Sequence, residues 1–455
     1  MTTFKKITEW SAATAMDGSD YVLAICGGTP KRITLDNLRL MMEENQQQFL
    51  DENAFYIEEN TAHTTVEKCY TGGNGLMRQI WLSKICAVLM DTEGHYTKLN
   101  NNDFRYTADG DTVVSNGAVV SAYANADWMG MFEGGYWNYL QEITISGVKH
   151  IRHHMSLTPL PGGWYTSELP AGLFKCVVVN DIMRSIPFVV PTGSKNINHF
   201  YNAAQARGKN FGLAGEPLRN LLLEYMLAKY GYRDCQNLKG EDGTLVWGVG
   251  LDGTEYSSSS TLADGFARQK DIKTGACLSL GYNDGKVEVT DNDSYTCHSV
   301  QVGVWENPWG QYWEMDGHLC SVGTDVYQWD SNFMPTGTPT ADTFAGVETH
   351  KFTRMTANSQ TFDVSLVTTA GAQRMSYVPT ASHTGVSWHD QFYYGADGQL
   401  WPVGGASYNG SACGLACSFS DNGWSTSYAS FSARLDFHGD TVEVTSAELK
   451  RLLAQ

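Results

Sequence analysis

The sequence predicts an α+β fold with more than one domain, in which loops carry the function, and three observations support this prediction. The 455 residues exceed the roughly 250–300 at which one hydrophobic core stops growing. Glycine, tyrosine and tryptophan number 46, 23 and 13, whereas only 18% of the chain is charged, which is unlike a long helical bundle. Two helical patterns between residues 196 and 231 precede a glycine-rich region of short strands and long loops that reaches residue 440.

The first 50 residues predict a small module of two strands and one helix. A turn at Asp17-Gly18 precedes an apolar strand from Tyr21 to Cys26, and a short second strand follows. Thr34 is suited to cap a helix whose apolar positions share one narrow face: Leu38, Met41, Met42 and Phe49. Such a helix either docks on the two strands, packs against symmetry mates in a weak oligomeric seam, or lies solvated on a small domain.

Changes in composition divide the rest of the chain. Residues 51–129 alternate short apolar runs with polar turns, which predicts a β-rich neck or connector. Glycine and aromatic residues dominate from MGMFEGGYWNYL onward, so we place a large distal domain at 130–455. Two of its strands are predicted in LFKCVVVN (173–180) and IPFVVP (186–191).

Two helices of the distal domain show clear apolar faces and end signals. The first, within NINHFYNAAQARGK, ends before Gly208 and has these residues on one face: Ile197, Phe200, Tyr201 and Ala204. The second, EPLRNLLLEYMLAKY, has Pro217 at its first turn and stops at Gly231. Its predicted buried side consists of Leu218, Leu221, Leu222, Tyr225 and Met226.

Charge and cysteine content narrow the partners and the compartment. The net charge is −18 and no cluster of lysine and arginine is present, so nucleic acid is not an expected partner. No signal-peptide pattern and no long apolar run occurs, which predicts a soluble protein made in a cytoplasm. Ten cysteines without a CxxC pair are therefore expected to be mostly reduced, buried side chains.

A series of sequence blocks resembles phage fibre and tropism-determinant proteins that carry a C-type-lectin-like domain. In chain order the blocks are GKNFGLAGE, LLLEYMLAKYG, TGACLSLGYNDG, VGVWENPWGQYWEMDG, LWPVGGASYNGSACG and FSARL, which together cover about residues 130–440. The domain of that family is related to the formylglycine-generating enzyme and sulfatase-modifying fold. The resemblance implies a C-terminal lectin-like head at 130–455 with two helices and long glycine-rich loops.

The N-terminal segment ITEWSAATAMDGSDYVLAICGGTPKRITLDNL also resembles a short module, the one that begins many phage head-fibre and tail-fibre proteins. Together the two resemblances imply a homotrimeric virion fibre, assembled in the host cytoplasm and attached to capsid or tail proteins through residues 1–50. They imply binding of a host-surface receptor, either a carbohydrate or a surface protein. In relatives from diversity-generating systems the final segment is the variable one. Head and tail attachment both stay open.

The segment 404–435 predicts the binding surface. Tyrosine and tryptophan give contact area at low entropic cost, and serine, asparagine and glycine give adaptable hydrogen bonds, as in antibody paratopes. The predicted ligand-binding residues lie between framework glycines and FSARL: Ser407, Tyr408, Asn409, Ser411, Asp421, Asn422, Trp424, Ser427 and Tyr428. The alternative for Trp424 and Tyr428 is that both pack into the core.

The block WENPWGQYWEMDG is predicted to be framework. Its large anchors are Trp305, Trp309, Tyr312 and Trp313, separated by turn signals. Its oxygen-bearing side chains could bind Ca²⁺, but hydrogen bonding within loops is the preferred interpretation: Glu306, Asn307, Glu314 and Asp316.

The chain is predicted to be non-enzymatic, with no catalytic residue, cofactor or metal. Cys413 and Cys417 are one residue closer than the CxxxxC pair of copper-binding formylglycine-generating enzymes, and no GxSxG elbow is present. His153 and His154 are adjacent on a predicted strand and should face opposite ways. Paired carboxylates of a glycosidase leave no sequence signature, so a glycan-cleaving fibre is the enzymatic alternative. A purely structural capsid-decorating fibre is the other alternative.

Overall fold

The protein is described from a computed structural model that covers residues 21–26, 29–34, 44, 46–60, 69–240, 242–247, 272–290, 296–359, 362–369, 372–382, 390–406, 409 and 412–455. The described helices are α1 (46–53), α2 (Gly75–Leu82), α3 (Ile197–Arg207), α4 (Glu216–Tyr230) and α5 (Ser446–Leu453). None of these helices has the length and apolar character that a membrane-spanning helix needs. The many antiparallel sheets around them make the fold a β-rich α+β fold.

The strands, in chain order, are β1 (Tyr21–Cys26), β2 (Thr29–Thr34), β3 (Phe55–Asn60), β4 (Tyr70–Gly73), β5 (Ile85–Met90), β6 (His95–Asn100), β7 (Asp103–Thr107), β8 (Val114–Ser115), β9 (Ala118–Val119), β10 (Asp127–Phe132), β11 (Tyr136–Ile145), β12 (Val148–Ser156), β13 (Trp164–Thr166), β14 (Ala171–Gly172), β15 (Val177–Val179), β16 (Ile182–Arg184), β17 (Phe211–Leu213), β18 (Gly285–Thr290), β19 (Thr296–Val302), β20 (Trp305–Glu306), β21 (Trp313–Met315), β22 (Leu319–Val322), β23 (Asp325–Gln328), β24 (His350–Thr353), β25 (Phe362–Thr369), β26 (Ala372–Ser382), β27 (Phe392–Tyr394), β28 (Pro402–Val403), β29 (Ser418–Ser420), β30 (Phe431–Ser432), β31 (Leu435–Phe437) and β32 (Val442–Glu443).

A central sheet joins the two parts of the chain that composition separates. Its strand order is β17-β31-β14-β10-β5-β6-β32, with β7 paired to β6. β10 pairs with β5 along all six residues, and every residue of both strands is buried. The predicted boundary between a neck at 51–129 and a domain at 130–455 therefore falls inside β10. This corrects the division, because one sheet and one core contain residues from both sides of it.

A second sheet crosses the same boundary. Its strand order is β13-β11-β12-β3-β4, so strands from 55–73 pair with strands from 136–166. Helix α1 docks near this sheet, since Leu50 is fully buried together with Ala54 and Leu160. Residues 46–53 thus belong to the body of the fold, and the predicted boundary at 50/51 falls inside α1.

The two predicted N-terminal strands are present, and they form a hairpin. β1 pairs with β2 in antiparallel register from Tyr21 and Thr34 to Cys26 and Thr29. The turn predicted at Asp17-Gly18 and the helical positions Leu38, Met41 and Met42 lie outside the described residues.

Both predicted helices of the distal region are confirmed. In α3 the side chain of Asn196 caps the N terminus, and Ile197, Phe200 and Ala204 are buried. Gly208 follows α3 with a φ of 170°, which is extended backbone and not the left-handed conformation expected after a helix. Gly231 does adopt the left-handed conformation after α4, with a φ of 65°.

Helix α4 is buried more completely than its sequence predicts. Besides the apolar side, its polar residues Glu216, Arg219 and Glu224 are buried. Glu224 accepts a hydrogen bond from the hydroxyl of Tyr136 on β11. α4 therefore lies in the interior, where its polar side chains need partners from other elements.

Local patterns failed where a turn or a cap outweighed apolar content. The apolar run around residue 80 lies in the segment for which the sequence predicts β-structure. Residues 75–82 instead form α2, and the Asn74 side chain caps the N terminus of this helix. The segment 173–180 contributes only β15, which forms a hairpin with β16. Asn180 and Asp181 take left-handed φ values of 51° and 59° at its turn. The segment 186–191 is not a strand, and α5, capped by Thr445, was not predicted.

The tryptophan-rich block is framework, as predicted. Trp305, Trp309, Tyr312 and Trp313 are each at most 3% exposed. The ring of Trp313 packs 5.3 Å from that of Phe419 and 6.1 Å from that of Tyr393. This block therefore ties several C-terminal strands into one core.

Replacing Trp313 by alanine is expected to destabilise the protein by about 3–5 kcal/mol, because it removes a fully buried ring and leaves a cavity. Urea unfolding of the full chain measures the change. Trp137 is a control, since it lies half-buried on β11 and its replacement should have a smaller effect. Equal losses for the two variants would contradict the framework role.

The described cysteines agree with the predicted reduced state. Nine of them are buried and form no disulfide: Cys69, Cys86, Cys176, Cys235, Cys277, Cys297, Cys320, Cys413 and Cys417. Burial raises the pKa of the Cys413 and Cys417 thiols well above its usual range. Both act as small packing residues, as predicted from their spacing.

Candidate functional site

The structure divides the predicted binding residues into three groups. Ser407, Tyr408 and Ser411 lie outside the described residues. Asp421, Ser427 and Tyr428 are exposed, and Asn409 is half-buried. Asn422 and Trp424 are buried, at 6% and 3% exposure. The structure therefore brings part of the predicted set together in one loop, residues 421–429, which we call the display loop.

The buried positions correct the expectation that Asn422 and Trp424 face solvent. Exposure alternates along 421–425, so Asn422 and Trp424 turn inward and their neighbours outward, and the N–H of Thr426 donates to the carbonyl of Gly423 to close a turn there. The indole N–H of Trp424 donates to Oδ1 of Asn198 at 3.3 Å, and its ring joins the core below the loop. Trp424 thus anchors the display loop and does not offer its ring to a ligand.

The display loop is held by main-chain hydrogen bonds from three other parts of the chain. The N–H groups of Gln399 and Leu400 donate to the carbonyl of Asn422 at 2.9 and 3.0 Å. The N–H of Ser194 donates to the carbonyl of Tyr428 at 3.2 Å, and that of Trp313 to Ser430 at 2.9 Å. The bonds to Asn422 and Tyr428 fix the two ends of the loop, and between them the N–H of Trp424 donates to Oε1 of Gln399 at 3.2 Å.

The outer side of the display loop presents small polar groups around one large ring. Tyr428 is 58% exposed, and its ring packs 5.3 Å from that of Phe431. Asp421, Gly423, Ser425 and Ser427 are exposed beside it. This is the mixture of aromatic and adaptable polar groups from which binding surfaces are built.

A cleft of about 810 Å³ forms a second candidate site, which the sequence reasoning missed. It is lined by residues 164–169, 209–210, 330–332 and 438–441 and by Pro217. β17 and β31 pair antiparallel, with Phe211 opposite Phe437, so the loop before β17 and the loop after β31 meet at the same end of the sheet.

Aromatic and charged groups face one another in this cleft. Tyr165 is 49% exposed, and its hydroxyl donates to the carbonyl of Gly134. Glu168 accepts a hydrogen bond from the hydroxyl of Thr441 at 3.2 Å. Burial raises the pKa of Glu168 above its usual range, although the Gly134 N–H and the Thr441 hydroxyl favour its charged form. Lys209, in the segment that enters β17, also lines the cleft.

Behind one wall of the cleft lies a cluster of His318, Asp436 and His438, of which His438 lines the cleft. Nε2 of His318 lies 3.1 Å, and Nε2 of His438 2.9 Å, from Oδ2 of Asp436. Asp436 and His318 are fully buried, whereas His438 reaches the cleft. His318 and His438 are 120 residues apart in the chain, so spacing could not have revealed the cluster.

Charge interactions link the ionisation of His318 to that of Asp436 and of the nearby Asp316. Burial alone would lower the pKa of His318, but the hydrogen bond and charge of Asp436, with the charge of Asp316, raise it to about 9. Burial and the charge of Glu216 raise the pKa of Asp316 to about 7. Burial opposes ionisation of Asp436, but His438 and His318 hold its pKa well below the usual range.

The four side chains considered for Ca²⁺ have partners within the protein. Glu306 accepts from the N–H groups of Gly275 and Cys277, and Asn307 accepts from that of Val300. Glu314 pairs with Arg434, and Asp316 accepts from the N–H of His318. These contacts agree with the preferred interpretation, in which the four side chains form hydrogen bonds and ion pairs within the framework.

His153 and His154 face opposite sides of β12, as predicted. Nε2 of His153 is 2.9 Å from Oδ1 of Asn138, and Nε2 of His154 is 2.9 Å from Oε1 of Gln141. The ring of His153 stacks on Trp164, whereas that of His154 lies beside Tyr56. The two histidines therefore cannot share one ion.

Comparison with known proteins adds no identification. No protein-family model matches the chain, and no curated protein is significantly similar to it. The display loop, the cleft and the sequence resemblance are therefore the features that indicate a function.

Proposed function

We propose that the protein is a non-enzymatic fibre component of a phage virion that binds a receptor on the host surface, either a carbohydrate or a protein. The observation that carries this proposal is the display loop, an exposed segment whose backbone is held at both ends and at Trp424. A binding loop that is already ordered loses little conformational entropy when its ligand binds. Such a loop on a rigid scaffold is a common arrangement for recognition.

The exposed chemistry of the loop supports recognition of a polar surface. Tyr428 offers an apolar ring with a polar tip, and tyrosine is enriched among residues that dominate binding energies. Asp421 and Ser427 offer acceptors and donors beside it. Hydroxyl-rich glycans and polar protein surfaces both match this combination.

The finer architecture belongs to the same proposal. The C-terminal region is proposed to be the lectin-like head, and the chain before α1 is proposed to attach the fibre to the virion. Homotrimerisation would place three display loops on one fibre, and several weak sites gain avidity through a high effective concentration. A reconstruction of the virus particle would test where the first 50 residues dock.

Replacing both Asp421 and Tyr428 by alanine is expected to weaken binding to host cells about 30-fold, the loss of a hot spot worth about 2 kcal/mol. The full chain, fluorescently labelled, is titrated onto cells of the bacterium that the virus infects. Because both side chains are exposed, the melting temperature of the variant should stay unchanged.

Tyr70 provides the matched control, since it is 62% exposed on β4 in the second sheet. Tyr70→Ala should bind like the unaltered protein. Trp424→Ala should instead lower the melting temperature, because Trp424 anchors the loop from inside. Unchanged binding by the folded double variant would remove the display loop as the receptor site.

A further inference from the structure

We propose that His318, Asp436 and His438 form a binding site for one divalent transition-metal ion, with zinc as the best match, in the wall of the cleft. Two imidazole nitrogens and one carboxylate oxygen are a ligand set that zinc uses in proteins. The inference does not depend on receptor binding by the display loop.

The geometry of the three ligand atoms suits one ion. One ligand atom from each residue lies within 4.8 Å of the other two. Both histidine Nε2 atoms approach the same oxygen, Oδ2 of Asp436, at 3.1 and 2.9 Å. Ligands about 2.0–2.1 Å from a tetrahedral zinc ion are about 3.3–3.4 Å apart, so the distance from each imidazole nitrogen to Oδ2 is within a few tenths of an ångström of this spacing.

The surroundings orient His318 for coordination. Its Nδ1 lies 2.8 Å from the carbonyl oxygen of Trp329, which can only accept a hydrogen bond, so Nδ1 carries the proton. An ion that binds at Nε2 displaces the proton that this atom otherwise donates to Oδ2 of Asp436. A histidine that donates its second N–H to a backbone carbonyl is the usual support of a metal ligand.

The carboxylate provides an independent observation. Oδ1 of Asp436 is buried and has no hydrogen-bond partner among the described residues, while both imidazoles converge on Oδ2. A triad built only for hydrogen bonding would engage both oxygens, because a buried unpaired acceptor is costly. The two imidazole nitrogens meet at Oδ2, so one ion that replaces their protons would bring all three ligand atoms around itself.

His438 gives the site a route to solvent. Its side chain is 13% exposed and lines the cleft, whereas the other two ligands are enclosed. Three protein ligands leave a fourth position of a tetrahedral ion for water or for an oxygen of a bound molecule. That position would face the cleft.

Metal binding is tested on the full chain, stripped with a chelator and dialysed against Zn²⁺. Mass spectrometry should find one zinc ion per chain, and competition with a chromogenic chelator gives its Kd. His438→Gln and Asp436→Asn should each weaken zinc binding at least 10-fold. Loading the unaltered chain with Co²⁺ should give the visible absorption of a tetrahedral site, a readout that needs no variant.

His95 provides the matched control, because its Nδ1 lies 2.9 Å from Oδ2 of Asp91 in another histidine–aspartate pair. His95→Ala should bind zinc like the unaltered chain. The competing interpretation is a proton-bridged pair in which an imidazolium of His318 holds Asp436. No stoichiometric zinc and no cobalt spectrum, or equal weakening by His95→Ala, would overturn the metal site in favour of that pair.

Discussion

A fragment that begins at residue 130 is expected to remain unfolded under conditions in which the full chain is folded. It lacks β5, the six-residue partner of β10, and the first half of β10 itself. The lost segment also contributes Trp81 and Trp128 to the core cluster that contains Trp305 and Trp309. Removing one side of a shared sheet exposes apolar surface that a marginally stable domain cannot leave unburied.

Near-UV circular dichroism and urea unfolding measure this result, with a fragment of residues 44–455 as the control. The control keeps α1 and both large sheets, and among the described elements it loses only the separate sheet of β1 and β2. It should unfold cooperatively like the full chain. A cooperative transition of the 130–455 fragment, or a protease-resistant product that begins between residues 110 and 145, would restore the boundary that composition predicts.

Helices were predictable because their signals are local. Pro217 and Gly231 bound α4, and apolar spacing within 15 residues identifies its buried side. What the spacing could not show is that Glu216, Arg219 and Glu224 are buried too, since their partners come from distant segments. Local sequence reports the period of a helix, whereas the rest of the fold decides how much of its circumference is covered.

Domain organisation was less predictable because sheet pairing is non-local. β14, β17 and β31 come from three separated segments and complete a sheet begun by β5 and β6. A change in composition near residue 130 marks the start of glycine- and aromatic-rich chain, but β10 continues through it. Composition therefore follows the kind of loops that a segment carries and not the sheet to which its strands belong.

The candidate site was only partly predictable, because it too depends on contacts between distant segments of the chain. Exposure of Asp421, Ser427 and Tyr428 follows from their place between turns. The inward rotation of Trp424 depends on a core assembled from other segments. The cleft and its histidine cluster depend on pairing between β17 and β31, and no sequence motif predicts that pairing.

The FSARL motif, which carries part of the family resemblance, has a physical role at Arg434. This side chain is fully buried, and its Nε lies 3.1–3.2 Å from both carboxylate oxygens of Glu314. Nη1 donates to the carbonyls of Gly172 and Leu173 at 2.8 and 2.7 Å, and Nη2 to that of Glu306 at 3.1 Å. Arg434 therefore joins β14, β20 and β21 at the centre of the core.

Arg434→Met is expected to destabilise the protein by about 5 kcal/mol, which is comparable to the whole stability of a typical domain. Methionine fills much of the space, but three carbonyls lose their donor and Glu314 loses its nearest cation. The remaining cation, Lys175, lies 3.6 Å from Glu314, and burial lowers its pKa to about 8. Urea unfolding measures the loss of stability. If the loss exceeds the stability of the protein, expression of the variant yields no folded protein.

The second arm of this experiment separates charge from packing. Glu314→Gln in the Arg434→Met background removes the unpaired carboxylate, so it should recover part of the lost stability. Arg434→Lys keeps the charge but not the planar guanidinium group that reaches three carbonyls. Its stability should lie between that of Arg434→Met and that of the unaltered protein. If the double variant is less stable than Arg434→Met alone, the buried ion pair is not the dominant interaction. The FSARL motif would then stabilise the fold through its carbonyl hydrogen bonds.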